Sequence, residues 1–284
     1  MNRFILKIIV ALLLLVCLIY LGYEYLPYAV DWHLVYRPAT LELISGRSPY
    51  LIPYFFNPPW ILIPLIPFAI LPERLGQSCL FFISIVSFFY AARRLSAFEN
   101  GKANNLVALG FVLSPPVFHC LLDMNIDWLI YLGIFIPVVD ICFFLSKPQI
   151  GFILSMWTVF RRIKTEGLKK SWLSIAVPMS LLFLSVVLYG PWFVRLGSPL
   201  LLQSDVNASF WPAGIPIGLY FAILAFWEGN LQYAMIASPF LSPYLLFQSW
   251  SVVLLSFSFK KQRYFWIVWA GFWILTILKL FNLV

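Results

Sequence analysis

The chain has 284 residues, 62% of them hydrophobic and 11% charged, with a formal net charge of +8. No polar block is long enough to fold as a separate soluble domain, so any site has to be built from apolar segments and the loops between them. The basic residues sit in short clusters beside apolar runs, which excludes a nucleic-acid-binding face and marks membrane topology instead.

The first apolar run covers residues 4–22 behind Arg3, with Lys7 near its start. No small-x-small cleavage site follows it, and Val16 before Cys17 is poor for a lipoprotein signal. We therefore expect an uncleaved first span with a cytoplasmic N-terminus.

Residues 25–75 then form an outer juxtamembrane or re-entrant segment. Asp31 precedes a helix-compatible stretch over 32–45 that stops at Gly46. Two compatible roles follow for it: an N-cap accepting backbone N–H bonds, and a partly desolvated carboxylate able to act as a general base. Trp32, His33, Tyr36, Arg37, Arg47 and Tyr50 surround it in sequence. Their hydroxyl and cationic groups suit an acceptor alcohol and a departing phosphate, and the planar fork of Arg is well matched to phosphate. His33 is either a packed interfacial side chain or a ligand to hydroxyl or phosphate.

Residues 58–72 are apolar but hold five prolines, Pro58, Pro59, Pro64, Pro67 and Pro72. Such a density opposes a regular span and favours an interfacial or re-entrant piece, with a short crossing helix as the alternative. Residues 76–92 return the chain to Arg93 and Arg94, and 104–122 lead outward to Asp123, Asn125 and Asp127. Asn125 and Asp127 either cap residues 128–136 or contact substrate.

Residues 128–160 return in one span or three, interrupted at Pro137-Val-Val-Asp140 and at Lys147-Pro148-Gln149. Such breaks favour short helices lining a cavity. Lys147 beside its proline either snorkels to the interface or meets an anion. Asp140 and Glu228 read as residues of helix turns near the cytoplasmic side.

Beyond the basic stretch 161–170, residues 171–189 cross outward, and the segments near 214–227, 231–245 and 246–258 fit three crossings before Lys260–Arg263. The run 264–283 exits again, giving about nine to eleven spans. Cys17, Cys79, Cys120 and Cys142 lie in apolar stretches and read as packing residues, as does His119. The acids and histidines show no metal-ligand spacing.

The ordered pieces Asp31, Tyr36-Arg-Pro-Ala-Thr40, Leu43-Ile-Ser-Gly46-Arg-Ser-Pro49-Tyr50, Phe56-Asn57-Pro58-Pro59-Trp60 and Pro67-Phe-Ala-Ile-Leu-Pro72 resemble the first outer segment of glycosyltransferase family 87. That family belongs to the GT-C superfamily of polyprenyl-phosphate-sugar-dependent enzymes. Asn125-Ile-Asp127 occupies the place of its Gly-Gln-x-Asn type segment, with Asp123-Met124 where a Gly-Gln pair stands in the family. Lys147-Pro148-Gln149 followed by Arg161-Arg162 resembles its Lys-Pro-Gln plus basic-end motif. The resemblance covers roughly residues 28–165.

It implies an all-α, GT-C-like polytopic transmembrane helical bundle, with residues 1–284 as one integral membrane domain. It also implies a hexose, mannose favoured, moved from a polyprenyl phosphate to a glycan or glycolipid acceptor outside the cytoplasm, most simply at the plasma membrane. Asp31 would be the base, with His33, Tyr36, Arg37, Asn57, Asn125, Asp127, Lys147 and Gln149 around the substrates. Membrane lipid is a partner, nucleic acid is not, and no cofactor is implied beyond the divalent ion that some GT-C enzymes use. The rival reading is a non-enzymatic lipid-linked-sugar transporter or a binding or structural membrane protein.

Overall fold

The structure, a computed structural model, describes residues 3–97, 101–198, 202–259 and 262–281. Among these residues every regular element is helical, as the long apolar runs predict. The α-helices in chain order begin with α1 (Arg3–Tyr25), α2 (Arg37–Ile44), α3 (Ile66–Ala69), α4 (Glu73–Ser96), α5 (Asn105–Val112), α6 (Pro115–Asp123) and α7 (Asp127–Gly133). They continue with α8 (Asp140–Phe144), α9 (Pro148–Glu166), α10 (Leu168–Tyr189), α11 (Ile215–Glu228), α12 (Leu231–Leu241), α13 (Ser251–Ser256) and α14 (Gln262–Leu280). Lys260 and Lys261 of the last basic cluster lie outside the described residues.

Among the described residues four helices, α1, α4, α10 and α14, are long and apolar enough to cross a membrane. The expected span over 104–122 is a broken one: α5 and α6 meet at 55° and make a fifth crossing if taken together. Pro115 and Pro116 bring no N–H to the ladder there, and the Ser114 hydroxyl donates to the freed Phe111 carbonyl at 2.6 Å. The expected crossings near 214–227, 231–245 and 246–258 fall on shorter apolar helices of 10–17 residues, and 128–160 is divided among α7, α8 and α9. A straight crossing takes about 20.

The chain packs as two compact units, one of Met1–Phe55, Leu62–Val86 and Leu121–Asn125, the other of Phe56–Ile61, Ser87–Cys120 and Ile126–Val284.

In the first unit α1 lies against the start of α4. A Cβ on Gly22 would overlap Ser78 Oγ, which donates to the Ile19 carbonyl at 2.6 Å. Arg74 and Gln77 donate to the carbonyls of Leu26 (2.9 Å) and Pro27 (2.7 Å), which lie just past α1 and have no helical partner.

α2 ends as its sequence foretells. Gly46 takes φ 73°, with Gly46 N–H on the Leu43 carbonyl and Arg47 N–H on the Glu42 carbonyl, the paired closure that a left-handed residue permits. The proline-rich stretch forms a 3-10 helix over Pro59–Leu65 and then the single turn of α3. No continuous α-helix forms across it, because Pro64 and Pro67 withhold donors where an α-helix needs them.

The second unit is built around α9. Ile153 N–H is bonded to Ser238 Oγ of α12 at 2.8 Å, and the Trp157 indole donates to the Ala225 carbonyl of α11 at 3.0 Å. α8 presses directly on α9, where a Cβ on Gly151 would run into the Phe144 carbonyl. α14 docks on α5 through Trp269, which donates to the Gly110 carbonyl at 2.7 Å; the bare glycine leaves room for the Trp266 ring.

Candidate functional site

The first unit assembles a polar cluster from the segment after α1, the start of α4 and the residues after α6. The chain turns helical before Asp31, which has φ −66° and ψ −36° and makes no cap hydrogen bond. The N-cap expectation is therefore corrected: Asp31 lies inside the first turn and makes no cap hydrogen bond to the helix that follows. It instead accepts from Asn125 Nδ2 at 2.5 Å. Asn125 is 2% exposed and follows Met124, whose φ of 56° turns the chain sharply after α6. That left-handed turn is costly for a non-glycine residue and sets the direction of the Asn125 side chain.

After Asp31, residues Trp32–Tyr36 form a π-helical turn closed by Arg37 N–H on the Trp32 carbonyl. The extra residue in this turn re-aims the side chains that follow, a device common where side chains must converge. Trp32 is fully buried and reaches the Glu73 carbonyl.

His33, 7% exposed, is fixed on three sides. Its Nδ1 lies 2.7 Å from Glu73 Oε1, its Nε2 lies 2.9 Å from Gln77 Oε1, and Tyr28 stacks on the ring at 4.2 Å. Gln77 is oriented in turn by its own donation to Pro27.

Arg37 approaches Glu73 at 3.8 Å and the Leu71 carbonyl at 3.4 Å, while its Nε has no hydrogen-bond partner among the described residues. Tyr36 is buried, its carbonyl accepting from the Thr40 hydroxyl at 2.7 Å. Arg47 does not turn to this cluster. It grips Glu42 with two donors, at 2.5 and 2.9 Å, and those hydrogen bonds hold the Glu42 carboxyl below its ordinary range.

The second unit holds a different polar cluster, fully buried. Asp127, the first residue of α7, makes no cap either, correcting the expectation that it caps the following helix; α7 itself ends at Gly133. Its carboxylate pairs with the Lys147 ammonium and accepts from the Ser249 hydroxyl at 3.0 Å. Lys147 is 3% exposed, so it does not snorkel: Asp127 neutralises it where α9 begins at Pro148.

Asn57 donates to the Ser146 carbonyl at 2.9 Å and Trp60 to the Cys142 carbonyl at 3.0 Å, so both tie down the end of α8. Gln149 lines a cavity of about 250 Å³ with Ser238, Ser242 and Tyr244. An almost wholly apolar cleft of about 320 Å³ adjoins it through Pro148, Phe152 and Leu196, walled by Trp60 and Trp192. Its chemistry suits a hydrocarbon chain.

Several interactions escaped the sequence reading. Glu73 and Gln77, which hold His33, stand four residues apart at the start of an apolar helix, and that spacing on one face was the available signal. Asp140 proves to be a buried partner of Arg162, which also donates to Ser174 at 2.7 Å. Ser249 carried no signal at all. Among the described residues no three His, Cys, Asp or Glu side chains gather in a group fit to hold a metal ion.

Compared with protein-family models, with curated proteins and with solved structures, the chain matches none.

Proposed function

We propose that this chain is an integral membrane glycosyltransferase of GT-C type, moving a hexose from a polyprenyl phosphate to an acceptor hydroxyl outside the cytoplasm. Mannose is the favoured hexose by the family resemblance. The observation that carries the reading is the 2.5 Å contact between Asp31 and Asn125. Two motifs 94 residues apart in sequence, each singled out by the resemblance, meet at one carboxylate.

In this reading Asp31 takes the proton of the acceptor hydroxyl as its oxygen attacks the anomeric carbon. The bond from that carbon to the phosphate oxygen breaks, and the polyprenyl phosphate leaves with the electron pair. Asn125 holds the carboxylate in place for the acceptor. Arg37, whose Nε has no hydrogen-bond partner among the described residues, steadies the departing phosphate. Lys147 is already neutralised by Asp127, so the phosphate role expected for it passes to Arg37.

The buried Asp127, Lys147 and Ser249 cluster among short helices favours a second reading, a carrier of lipid-linked sugars that performs no transfer. Purified protein in lipid, offered a panel of polyprenyl-phosphate sugars with an acceptor glycolipid, separates the two. Release of polyprenyl phosphate coupled to acceptor glycosylation is the expected result. Transbilayer movement of intact donor without transfer would replace the enzyme with the carrier.

A further inference from the structure

We propose that the turn joining α9 to α10 is a docking surface for the headgroups of anionic phospholipids, contacted by Lys164, Lys169 and Lys170. The inference is independent of any transfer reaction.

Five basic residues crowd this turn, and the structure sorts them. Arg161 is committed to the Gly229 carbonyl at 2.7 Å and lies over the Trp157 ring. Arg162 is spent on Asp140 and Ser174. The three lysines are exposed and make no ion pair among the described residues; Lys164 only lies over the Phe160 ring. Glu166 is the one acid between them, so the exposed turn keeps a net positive charge.

A second, separate feature says what covers that charge. α10 runs 22 residues, contains an 18-residue stretch with a mean hydropathy of 2.0, and is long enough to cross a bilayer. Its first two turns expose Leu168, Trp172 and Leu173 by 64, 62 and 55%. An exposed indole at the end of a span belongs at the headgroup level, which puts Leu173 and the apolar residues after it in the acyl region. Lys169 and Lys170 stand between Leu168 and Trp172 in the same two turns, and Lys164 precedes them by one turn of chain. Their ammonium groups therefore fall in the phosphate layer of the leaflet, where each basic residue strengthens binding to an anionic surface about fivefold.

The structural roles of Arg161 and Arg162 make a clean test possible, since the lysines can be changed without touching either. Full-length protein is reconstituted in equimolar phosphatidylglycerol and phosphatidylcholine, and the lipids retained after mild extraction are counted by native mass spectrometry. Wild type should enrich phosphatidylglycerol, K164Q/K169Q/K170Q should lower that enrichment by at least about tenfold, and K164R/K169R/K170R should retain it. Unfolding temperature in phosphatidylcholine alone should match for all three. Should the glutamine variant fail to fold, wild type in about 1 M salt provides the same reading, because screening should abolish the enrichment. Enrichment that survives the glutamine substitutions or the salt overturns the proposal. So does equal loss in the arginine variant, or competition by soluble glycerol phosphate, which would make the ligand a free phosphate instead of a lipid surface.

Discussion

Asp31 shows how much a single side chain depends on where its helix begins. A carboxylate placed one residue before a helix is drawn to the first N–H groups, whereas one placed inside the first turn is released to look elsewhere. Here the helix has begun before Asp31, and the side chain meets Asn125. Asp31→Asn keeps the size and an oxygen for the Asn125 contact while removing basicity. We expect the variant to insert and bind lipid donor normally but to transfer sugar at least ~100-fold more slowly, read as single-turnover rate at saturating donor. Near-normal transfer by folded Asp31→Asn protein would remove Asp31 from the chemistry. The sequence announced the acid and its aromatic and basic neighbours. The partners of those neighbours were hidden, because Glu73, Gln77 and Asn125 lie 40 or more residues from the groups they hold.

Broken helices govern the next scale. Each interruption leaves carbonyls and N–H groups without helical partners: at the end of α8 the distant Asn57 and Trp60 answer them, and between α5 and α6 the adjacent Ser114 does. Lys147 and Asp127 extend this to charge, each sitting at the first turn or the threshold of a helix that follows a break. Removing one charge strands the other in an apolar interior, so Lys147→Met alone should cost about 3–5 kcal/mol. Asp127→Asn combined with Lys147→Met should regain most of that loss, because no lone ion remains. Thermal unfolding of the two single variants and the double variant in one lipid measures the coupling, and strict additivity would contradict it. The folded double variant should also keep the donor KM of wild type. A raised KM would return Lys147 to the donor phosphate.

At the level of the whole molecule the path of the chain across the bilayer rests on α4. Glu73–Ser96 runs 24 residues, with Arg74 at one end and Arg93 and Arg94 at the other. Substituted cysteines at Arg74 and Arg94 should react with membrane-impermeant reagent from opposite sides of sealed vesicles. Labelling from one side only would overturn the assignment of residues 25–75 to the outer face.

Composition and hydropathy alone determined that the described residues are helical with membrane-length segments, where α2 stops, and that prolines interrupt the α-helix over residues 58–72. These follow from local physics: the transfer energy of apolar runs, the permissiveness of Gly46, the missing donors of proline. Which ionisable groups meet was decided only by the tertiary structure. His33 with Glu73, Asp31 with Asn125, Asp127 with Lys147 and Asp140 with Arg162 are pairings between distant segments, and a charge buried in an apolar interior takes whichever partner the packing of those segments brings to it.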